Sequence, residues 1–222
     1  MVVMHIPRPL FLLLLCAAVA QANPRDPLAQ FPPAYQDAMK EAITAFHDRD
    51  YGTAIKVLDR ADLLLAPTPL SLNTRGAVAI ERRDFVEGER LCRAALQQEA
   101  KFFPARFNLG EIPFVKGDYA EARRIYQEIL DEDERNELVG YRIFLTHLME
   151  KDYETAKRLL DAMRFPSDTA AYYYAHAAWD FAHAREEKAR GWIRSGDWVF
   201  PRTRNLYFAD VLYDLGWMKR EP

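Results

Sequence analysis

The sequence predicts an all-α protein built from stacked helix–turn–helix units, because one short motif returns at a fixed interval. An aspartate followed by an aromatic residue occurs every 34 residues, at Asp50-Tyr51, Asp84-Phe85, Asp118-Tyr119 and Asp152-Tyr153. A small residue follows each pair at a constant offset, at Ala54, Gly88, Ala122 and Ala156. A repeat of this length is typical of helical hairpins that each bury their apolar face against their neighbours.

Four helical hairpins, a fifth and weaker hairpin, and a C-terminal cap helix are expected to form a short solenoid of four to five repeats. The repeats are predicted over residues 34–67, 68–101, 102–135, 136–167 and 168–195, and the cap helix and tail over 196–222. The helices are predicted at 34–47, 52–65, 69–82, 86–99, 104–116, 120–131, 137–150, 154–164, 168–184, 186–195 and 202–216. Prolines fall at or near the joints between these helices, where a missing backbone donor is least harmful.

The repeated residues have a physical role in such hairpins. The aspartate is expected to cap the second helix of each unit, because its carboxylate can accept hydrogen bonds from backbone N–H groups that have no partner in the first turn. A small residue on the first helix (Ala42, Gly76 or Gly110) is expected to face the small residue on the second, which allows two antiparallel helices to approach closely.

Two residues depart from this pattern. Pro113 lies inside the first helix of the third unit, where it removes a backbone hydrogen bond and is expected to kink the helix. Phe144 stands at the position that Gly76 and Gly110 occupy in earlier units, so the fourth hairpin is expected to be more open than the others.

The third unit resembles the tetratricopeptide repeat, through its Leu109-Gly110 pair, its Gly117-Asp118-Tyr119 turn and the residues Ala122 and Tyr126. The neighbouring units are similar in the same way, and the resemblance covers about residues 34–195 and weakens toward the C-terminus. It implies a protein that binds other proteins or peptides, and an exported bacterial type is expected from the N-terminal segment described below.

The resemblance also implies a concave surface formed by the first helix of each hairpin. Its contact positions are mostly apolar or aromatic in this chain, with Asn73 and Glu111 as the main polar members. The residues expected to bind a partner are Phe46, Asn73, Ile80, Phe107, Glu111, Phe114, Tyr141 and Leu145. The family's chaperone-tail binders hold a carboxylate with lysine and asparagine, but Met39, Ile43 and Pro104 stand here instead. The groove therefore suits an apolar segment, or its side chains pack against the protein itself.

The C-terminal third is rich in aromatic rings, and they allow two interpretations. The rings are Tyr172, Tyr173, Tyr174, Trp179, Phe181, Trp192, Trp198, Phe200, Tyr207, Phe208, Tyr213 and Trp217. Rings of this kind often form the core beneath a terminal cap helix. Exposed rings would instead stack on sugars, so a glycan- or peptidoglycan-binding module is the alternative function.

Neither an enzyme nor a nucleic-acid binder is expected. The net charge is −3 with acids and bases mixed along the chain, and no basic stripe is present. No catalytic or phosphate-binding motif occurs, so no catalytic residue and no cofactor are expected. His176, His183 and Glu187 have a spacing that suits a weak metal site, but this spacing is common by chance and no metal is expected. Cys92 is expected to be a buried thiol.

The N-terminus has the pattern of a secretion signal. Arg8 precedes an apolar run of 11 residues from Leu10 to Ala20, and Ala20-Gln21-Ala22 is a small-residue cleavage site. Cleavage is expected after Ala22, followed by an extended proline-rich leader over 23–33. Lipid attachment at Cys16 is a second possibility. The sequence therefore predicts a non-catalytic adaptor of the bacterial cell envelope that resides in the periplasm. Whether it also associates with other envelope components is left open.

Overall fold

The computed structural model describes residues 28–219 of the 222-residue chain. Over this range the chain forms eleven α-helices and no strand, which confirms the all-α fold class. The helices are α1 (Pro33–His47), α2 (Tyr51–Leu64), α3 (Pro69–Glu81), α4 (Phe85–Gln98), α5 (Phe103–Lys116), α6 (Tyr119–Leu130), α7 (Glu137–Met149), α8 (Tyr153–Asp161), α9 (Ala171–Ala182), α10 (Glu186–Val199) and α11 (Arg202–Asp214).

The helix boundaries differ most from the sequence prediction in the fourth and fifth hairpins. Helix α8 ends at Asp161 rather than 164, α9 begins at Ala171 rather than 168, and α10 continues to Val199 rather than ending at 195. The predicted signal peptide, its cleavage site after Ala22 and Cys16 lie outside the described residues. Within residues 28–219, no helix has the length and apolar character needed to cross a membrane.

The predicted leader over 23–33 is wrong for the residues that the structure describes. Leu28 is only 5% exposed and lies in a hydrophobic core with Tyr35 and Met39, and Phe31 packs against the same core. The ring centroids of Phe31 and Tyr35 are 5.0 Å apart. The two apolar side chains between the prolines bury enough surface to hold this segment in the fold.

The four repeated aspartates cap the second helices as expected. A side-chain oxygen of Asp50, Asp84, Asp118 and Asp152 accepts a hydrogen bond from the backbone N–H three residues later, at 2.9, 3.1, 3.2 and 3.1 Å. The residue before each aspartate has a positive φ, at Arg49 (62°), Arg83 (67°), Gly117 (81°) and Lys151 (62°). Only one of these four positions carries the glycine that this backbone conformation favours.

The chain divides into two compact regions, and the described residues of each are 28–112, the N-terminal region, and 113–219, the C-terminal region. Helix α5 begins in the first and ends in the second, and it runs through Pro113 without interruption. In the N-terminal region α1 pairs with α2 and α3 with α4; in the C-terminal region α7 contacts α6, α8 and α9, and α9 pairs with α10.

Helices α3 and α4 approach closely at two glycines. A Cβ atom added to Gly76 would lie 3.0 Å from Cys92 Sγ and 3.3 Å from the carbonyl oxygen of Gly88. A Cβ atom on Gly88 would lie 2.4 Å from Cγ1 of Ile80, a distance that real side chains do not tolerate. The small residues therefore set the distance between the two helices, as the repeat pattern predicts.

A buried carboxylate fastens the α9–α10 hairpin in the C-terminal region. Asp180 is 1% exposed, and its Oδ1 accepts a hydrogen bond from Arg185 Nε at 2.7 Å. Its Oδ2 accepts a second bond from the indole N–H of Trp192 at 3.0 Å. Both oxygens of this buried carboxylate therefore have a donor, which offsets the cost of removing the charge from water.

Candidate functional site

The eight side chains predicted to form a partner surface are almost completely enclosed. Their exposed fractions are 1% for Phe46, 0% for Asn73, 1% for Ile80, 1% for Phe107, 0% for Glu111, 2% for Phe114, 0% for Tyr141 and 0% for Leu145. Of the two alternatives that the sequence left open, the structure agrees with the one in which these side chains pack against the protein itself. Large apolar side chains gain most free energy by leaving water, and here they are enclosed. Their role in binding a partner stays a prediction.

Three of the apolar residues in this set pack within their own region. The ring of Phe46 lies 5.7 Å from the ring of Tyr51, which begins the second helix of the same hairpin. Ile80 fills the space beside Gly88 at the α3–α4 contact. The ring of Phe107 lies 5.9 Å from that of Phe103. These contacts give each side chain a structural role whether or not a partner binds.

Buried polar side chains on α3 and α5 form the most distinctive part of the N-terminal region. Asn108 donates a hydrogen bond from Nδ2 to Oδ1 of Asn73 at 3.0 Å, and both residues are fully buried. The carboxyl group of Glu111, one turn further along α5, is also fully buried. The sequence analysis named Asn73 and Glu111 but missed Asn108. In the next repeat, Asn108 lies one position after the equivalent of Asn73, and this was the signal that could have found it.

Cys92 is a core thiol, as the sequence predicts. Its side chain is fully buried on α4, and Sγ lies 4.0 Å from Oδ1 of Asn73. Burial raises the pKa of the thiol to about 12, since the charged thiolate would lose its hydration. A thiol with this pKa is protonated at neutral pH and is a poor nucleophile.

In the C-terminal region, Arg142 is a buried cation that sequence reasoning missed. It is 2% exposed on α7, and its guanidinium carbon lies 5.9 Å from the ring centroids of both Phe114 and Tyr141. An arginine near two aromatic rings gains cation–π attraction, which is stronger when the group is removed from water. The signal in the sequence was a single basic residue within the run from Leu138 to Leu145, whose other members are uncharged and mostly apolar.

Tyr141 links α7 to the cap helix. Its hydroxyl donates to the carbonyl oxygen of Phe208 on α11 at 3.2 Å, and the two rings are 5.6 Å apart. Burial raises the pKa of the Tyr141 hydroxyl, so this group stays a neutral donor at physiological pH. Phe208 also lies 6.1 Å from the ring of Tyr174, and this packing supports the interpretation that part of the aromatic set lies beneath the cap.

The remaining aromatic residues do not all form a core. Tyr174, Phe181 and Phe208 are buried, whereas Trp198 is 88% exposed. A second group of rings is at least partly exposed. Tyr172, Tyr173, Trp192 and Phe200 lie on or directly after the helices of the α9–α10 hairpin, and Phe165 lies in the loop before it. The C-terminal rings therefore divide between a core and a surface.

The histidines are used in packing. His176 stacks on Trp192 with ring centroids 4.5 Å apart, and burial lowers the pKa of this imidazole. His183 packs against Trp179 at 4.1 Å, and one ring nitrogen lies 2.7 Å from the Trp179 carbonyl oxygen. Within residues 28–219, no three histidine, cysteine or acidic side chains come together as metal ligands.

Comparison with known families finds a similarity to the tetratricopeptide repeat. A model of the tetratricopeptide repeat family matches residues 79–139 and, in a second alignment, residues 114–178. The matched residues include helices α4 to α8 and most of α9, and they contain the cap positions Asp84, Asp118 and Asp152. The comparison with curated proteins finds no match.

Proposed function

We propose that this chain is a tetratricopeptide repeat protein that acts as a non-catalytic adaptor and binds a segment of a partner protein through the first helices of its hairpins. Tetratricopeptide repeats generally mediate contacts between proteins, so a protein or peptide partner is the coarse expectation for this chain. The name first-helix surface stands here for two sets of residues, each considered within its own region. In the N-terminal region the set is Phe46, Asn73, Ile80, Phe107, Asn108 and Glu111, and in the C-terminal region it is Phe114, Tyr141, Arg142 and Leu145.

The observation that carries this proposal is the set of buried polar side chains on first helices. Asn73, Asn108 and Glu111 in the N-terminal region, and Arg142 in the C-terminal region, are each at most 2% exposed. These groups make hydrogen bonds or charge contacts within the fold, such as the bond from Asn108 to Asn73, and a partner that displaces the covering atoms would exchange some of these contacts for its own. Their amide and charged groups are suited to reading the backbone or a charged side chain of a partner segment.

Binding through this surface must involve a rearrangement. Because all eight predicted residues are enclosed, a partner gains access only if the atoms that cover them move aside. Association that requires such a step is slower than simple docking. The proposal therefore predicts a slow association rate that does not increase linearly at high partner concentration.

Crosslinking capture with paired variants tests the proposal. Glu111→Gln keeps the size of a buried side chain and replaces its carboxyl group by an amide, while Glu89→Gln makes the same change at a partly exposed position of the second helix α4, where Glu89 pairs with Arg93. We expect a protein that is recovered with wild type and Glu89→Gln, and recovered at least about tenfold less with Glu111→Gln, since a charge-assisted hydrogen bond contributes about 1.5–3 kcal/mol.

Two further measurements make the result decisive. Thermal unfolding followed by circular dichroism must show that both variants are folded at the capture temperature. Asn108→Asp, which keeps the shape of the side chain and changes its hydrogen bonding, should reduce capture in the same way. Equal recovery of the same proteins by wild type and all folded variants would contradict a role for the first-helix surface.

Export to the bacterial envelope is the second part of the proposal. It is supported by the apolar run from Leu10 to Ala20, by Arg8 before it and by the small residues at Ala20 and Ala22. Mass spectrometry of the protein from its native source should give a chain that begins at Asn23. A mass that includes a diacylglycerol group on Cys16 would establish the lipid-anchored alternative, and an intact Met1 would contradict export.

A glycan-binding module remains the second candidate, because one ring is strongly exposed. Trp198 is 88% exposed at the end of α10, where its face is available for stacking on a sugar ring. Soluble peptidoglycan fragments should then quench tryptophan fluorescence in wild type and not in Trp198→Phe. Unchanged fluorescence in wild type would remove this candidate.

A further inference from the structure

A cavity of about 380 Å³ lies in the C-terminal region, around the beginning of α7. We refer to it as the α7 pocket. Its volume falls in the range of small-molecule and peptide side-chain sites. The apolar residues that line it are Leu130, Tyr141, Leu159, Ala162, Met163 and Ala171. We call the aliphatic members of this set the aliphatic floor of the pocket, and Tyr141 is the residue that the lining shares with the first-helix surface.

One wall of the α7 pocket is fixed by a carboxylate. Glu137, at the start of α7, accepts backbone hydrogen bonds from Asp168 at 3.0 Å and from Thr169 at 2.8 Å. The hydroxyl of Thr169 donates to the same side chain. Ser167 Oγ in turn donates to the carbonyl oxygen of Thr169 at 2.8 Å. These bonds hold the α8–α9 loop against α7, so the pocket is formed before any ligand arrives.

Two arginines with unused guanidinium groups stand at the rim. Arg135 and Arg164 both line the α7 pocket and are exposed. Within residues 28–219, neither side chain has an ion pair or hydrogen bond, whereas several other arginines there, such as Arg90, Arg124 and Arg190, are paired with carboxylates. Glu134 and Asp168 add exposed carboxylates to the same rim. The rim can therefore bind an anion with its arginines and accept N–H donors with its acids.

Aromatic rings extend the pocket along the protein surface. Tyr172 lines the pocket and lies 4.9 Å from the ring of Phe165, which is 61% exposed. On its other side Tyr172 contacts His176 at 4.4 Å. An extended ligand that leaves the pocket would meet these rings, against which further side chains of the ligand can be buried.

We propose that the α7 pocket binds the free C-terminal end of a partner polypeptide whose last residue is apolar. The terminal carboxylate pairs with Arg135 and Arg164, the last side chain enters the aliphatic floor, and the preceding backbone N–H groups donate to the rim carboxylates. A sugar fits the aliphatic floor poorly because its hydroxyl groups would lose their hydrogen bonds there. A fatty acid would leave the acidic part of the rim without donors, so a peptide uses more of the site.

This inference goes beyond the proposed function, because it names a second site and a chemical class of ligand. Two pools of fluorescein-labelled hexapeptides of random sequence, fixed with leucine, valine or phenylalanine at the last position, provide the probe. One pool ends in a free carboxylate and the other in an amide. Retention on the immobilised full-length protein is measured for wild type, Arg135→Gln, Arg164→Gln and the control Arg90→Gln, whose guanidinium is paired with Glu87 on the exposed face of α4.

The expected result is retention of the free-acid pool over the amide pool by wild type and Arg90→Gln. Each pocket variant should bind the retained peptides about tenfold more weakly, the effect of losing one charge-assisted hydrogen bond. Glu111→Gln should bind them as wild type does, which separates this site from the first-helix surface. Met163→Gln makes the floor polar and should also weaken binding, with folding checked by circular dichroism.

Three outcomes would overturn the proposal. The first is that neither pool is retained. The second is that acid and amide pools are retained equally, or that the arginine variants bind as wild type does. The third is that octanoate competes for the pocket with the same dependence on Arg135 and Arg164 while no peptide binds, which would assign the site to acyl carboxylates.

Discussion

The α3–α4 and α7–α8 hairpins occupy equivalent places in the repeat and solve the same packing problem differently. In α3–α4, Gly76 and Gly88 bring the two helices so close that a Cβ on either would meet atoms of the partner helix or of Ile80. In α7–α8, the position of Gly76 is taken by Phe144, whose ring is fully buried. The two helices of this second hairpin contact each other far less than α3 and α4 do, and α8 has only 9 residues.

The comparison shows that a repeat can be held together by helix proximity or by a large side chain. Close approach gains many small contacts between backbones and short side chains. An aromatic ring replaces these contacts by its own buried surface and leaves more space between the helices. The α7 pocket lies where the α7–α8 hairpin meets α6 and α9, so the looser hairpin is also the one that carries a cavity.

The largest expected effect concerns the ring of Phe144. Phe144→Ala should lower the free energy of unfolding by about 3–5 kcal/mol, because it removes a buried ring and leaves a cavity. Urea denaturation measures this loss. The control is Phe165→Ala, where the ring is 61% exposed and a loss below about 1 kcal/mol is expected. Similar losses at both positions would show that Phe144 does not support the hairpin.

Alanine at two glycines should give changes of opposite sign. Gly88→Ala places a methyl group 2.4 Å from Ile80 Cγ1, so overpacking should destabilise the protein by about 1–2 kcal/mol after the helix propensity of alanine is counted. Gly140→Ala, in α7, meets no atom within 4 Å and should stabilise by up to about 1 kcal/mol. Thermal unfolding distinguishes the two. Stabilisation by Gly88→Ala would contradict the close-approach argument.

Loss of a helix cap should lower the free energy of unfolding in both hairpins. Asp84→Ala removes the carboxylate that accepts the Glu87 N–H, and a loss of about 1 kcal/mol is expected. Asp152→Ala should cost more, because the Asp152 carboxylate also lies 3.0 Å from Nδ1 of His147. Chemical denaturation of both variants measures the difference. A smaller loss at Asp152 would mean that its contact with His147 adds nothing.

The residues with a positive φ before the capping aspartates provide a test with a smaller expected effect on stability. Lys151→Gly should stabilise the protein by about 0.5–1 kcal/mol, because Lys151 has a φ of 62° that is unfavourable for a residue with a Cβ. Gly117→Ala, at the equivalent position of the preceding hairpin with a φ of 81°, should destabilise it by a similar amount. Melting temperatures that move in the same direction would contradict this account.

The smallest expected effect is on the stability of the protein at acidic pH. Side-chain and backbone hydrogen bonds from Thr53 hold the pKa of Asp50 below its ordinary value of 3.8, and backbone and side-chain bonds from Thr155 do so for Asp152. A carboxyl group with a lowered pKa in the folded state stabilises the protein above pH 3.8, and this contribution is lost as the pH falls through the lowered pKa. The double variant Asp50→Asn, Asp152→Asn retains caps that do not titrate. Its melting temperature should fall less between pH 5 and pH 3 than that of wild type.

The repeat period alone predicts most of the fold. The aspartates at 50, 84, 118 and 152 and the small residues after them are local signals, because capping and close approach depend on residue type at fixed spacing. The ends of α8, α9 and α10 were predicted less well, since the motif fades there and no aspartate caps α10. The role of Leu28 was missed because prolines around it suggested an extended segment.

The candidate sites were harder to predict than the fold. Sequence position identified which side chains lie on first helices, but burial depends on what covers them, and all eight proved enclosed. Asn108 and Arg142 were missed because pairing between helices, such as the bond from Asn108 to Asn73, is a property of three-dimensional contact. The α7 pocket was not foreseen because its lining comes from the ends of several helices and the loops between them.

Hydrogen–deuterium exchange of the full chain with its captured partner tests the central claim most directly. Binding through the first-helix surface predicts added protection of amides in α3, α5 and α7, with the second helices α4, α6 and α8 changed much less. The added protection should be lost with Glu111→Gln and kept with Glu89→Gln. Protection confined to α4, α6 and α8, or to the rim of the α7 pocket alone, would contradict a partner site on the first helices.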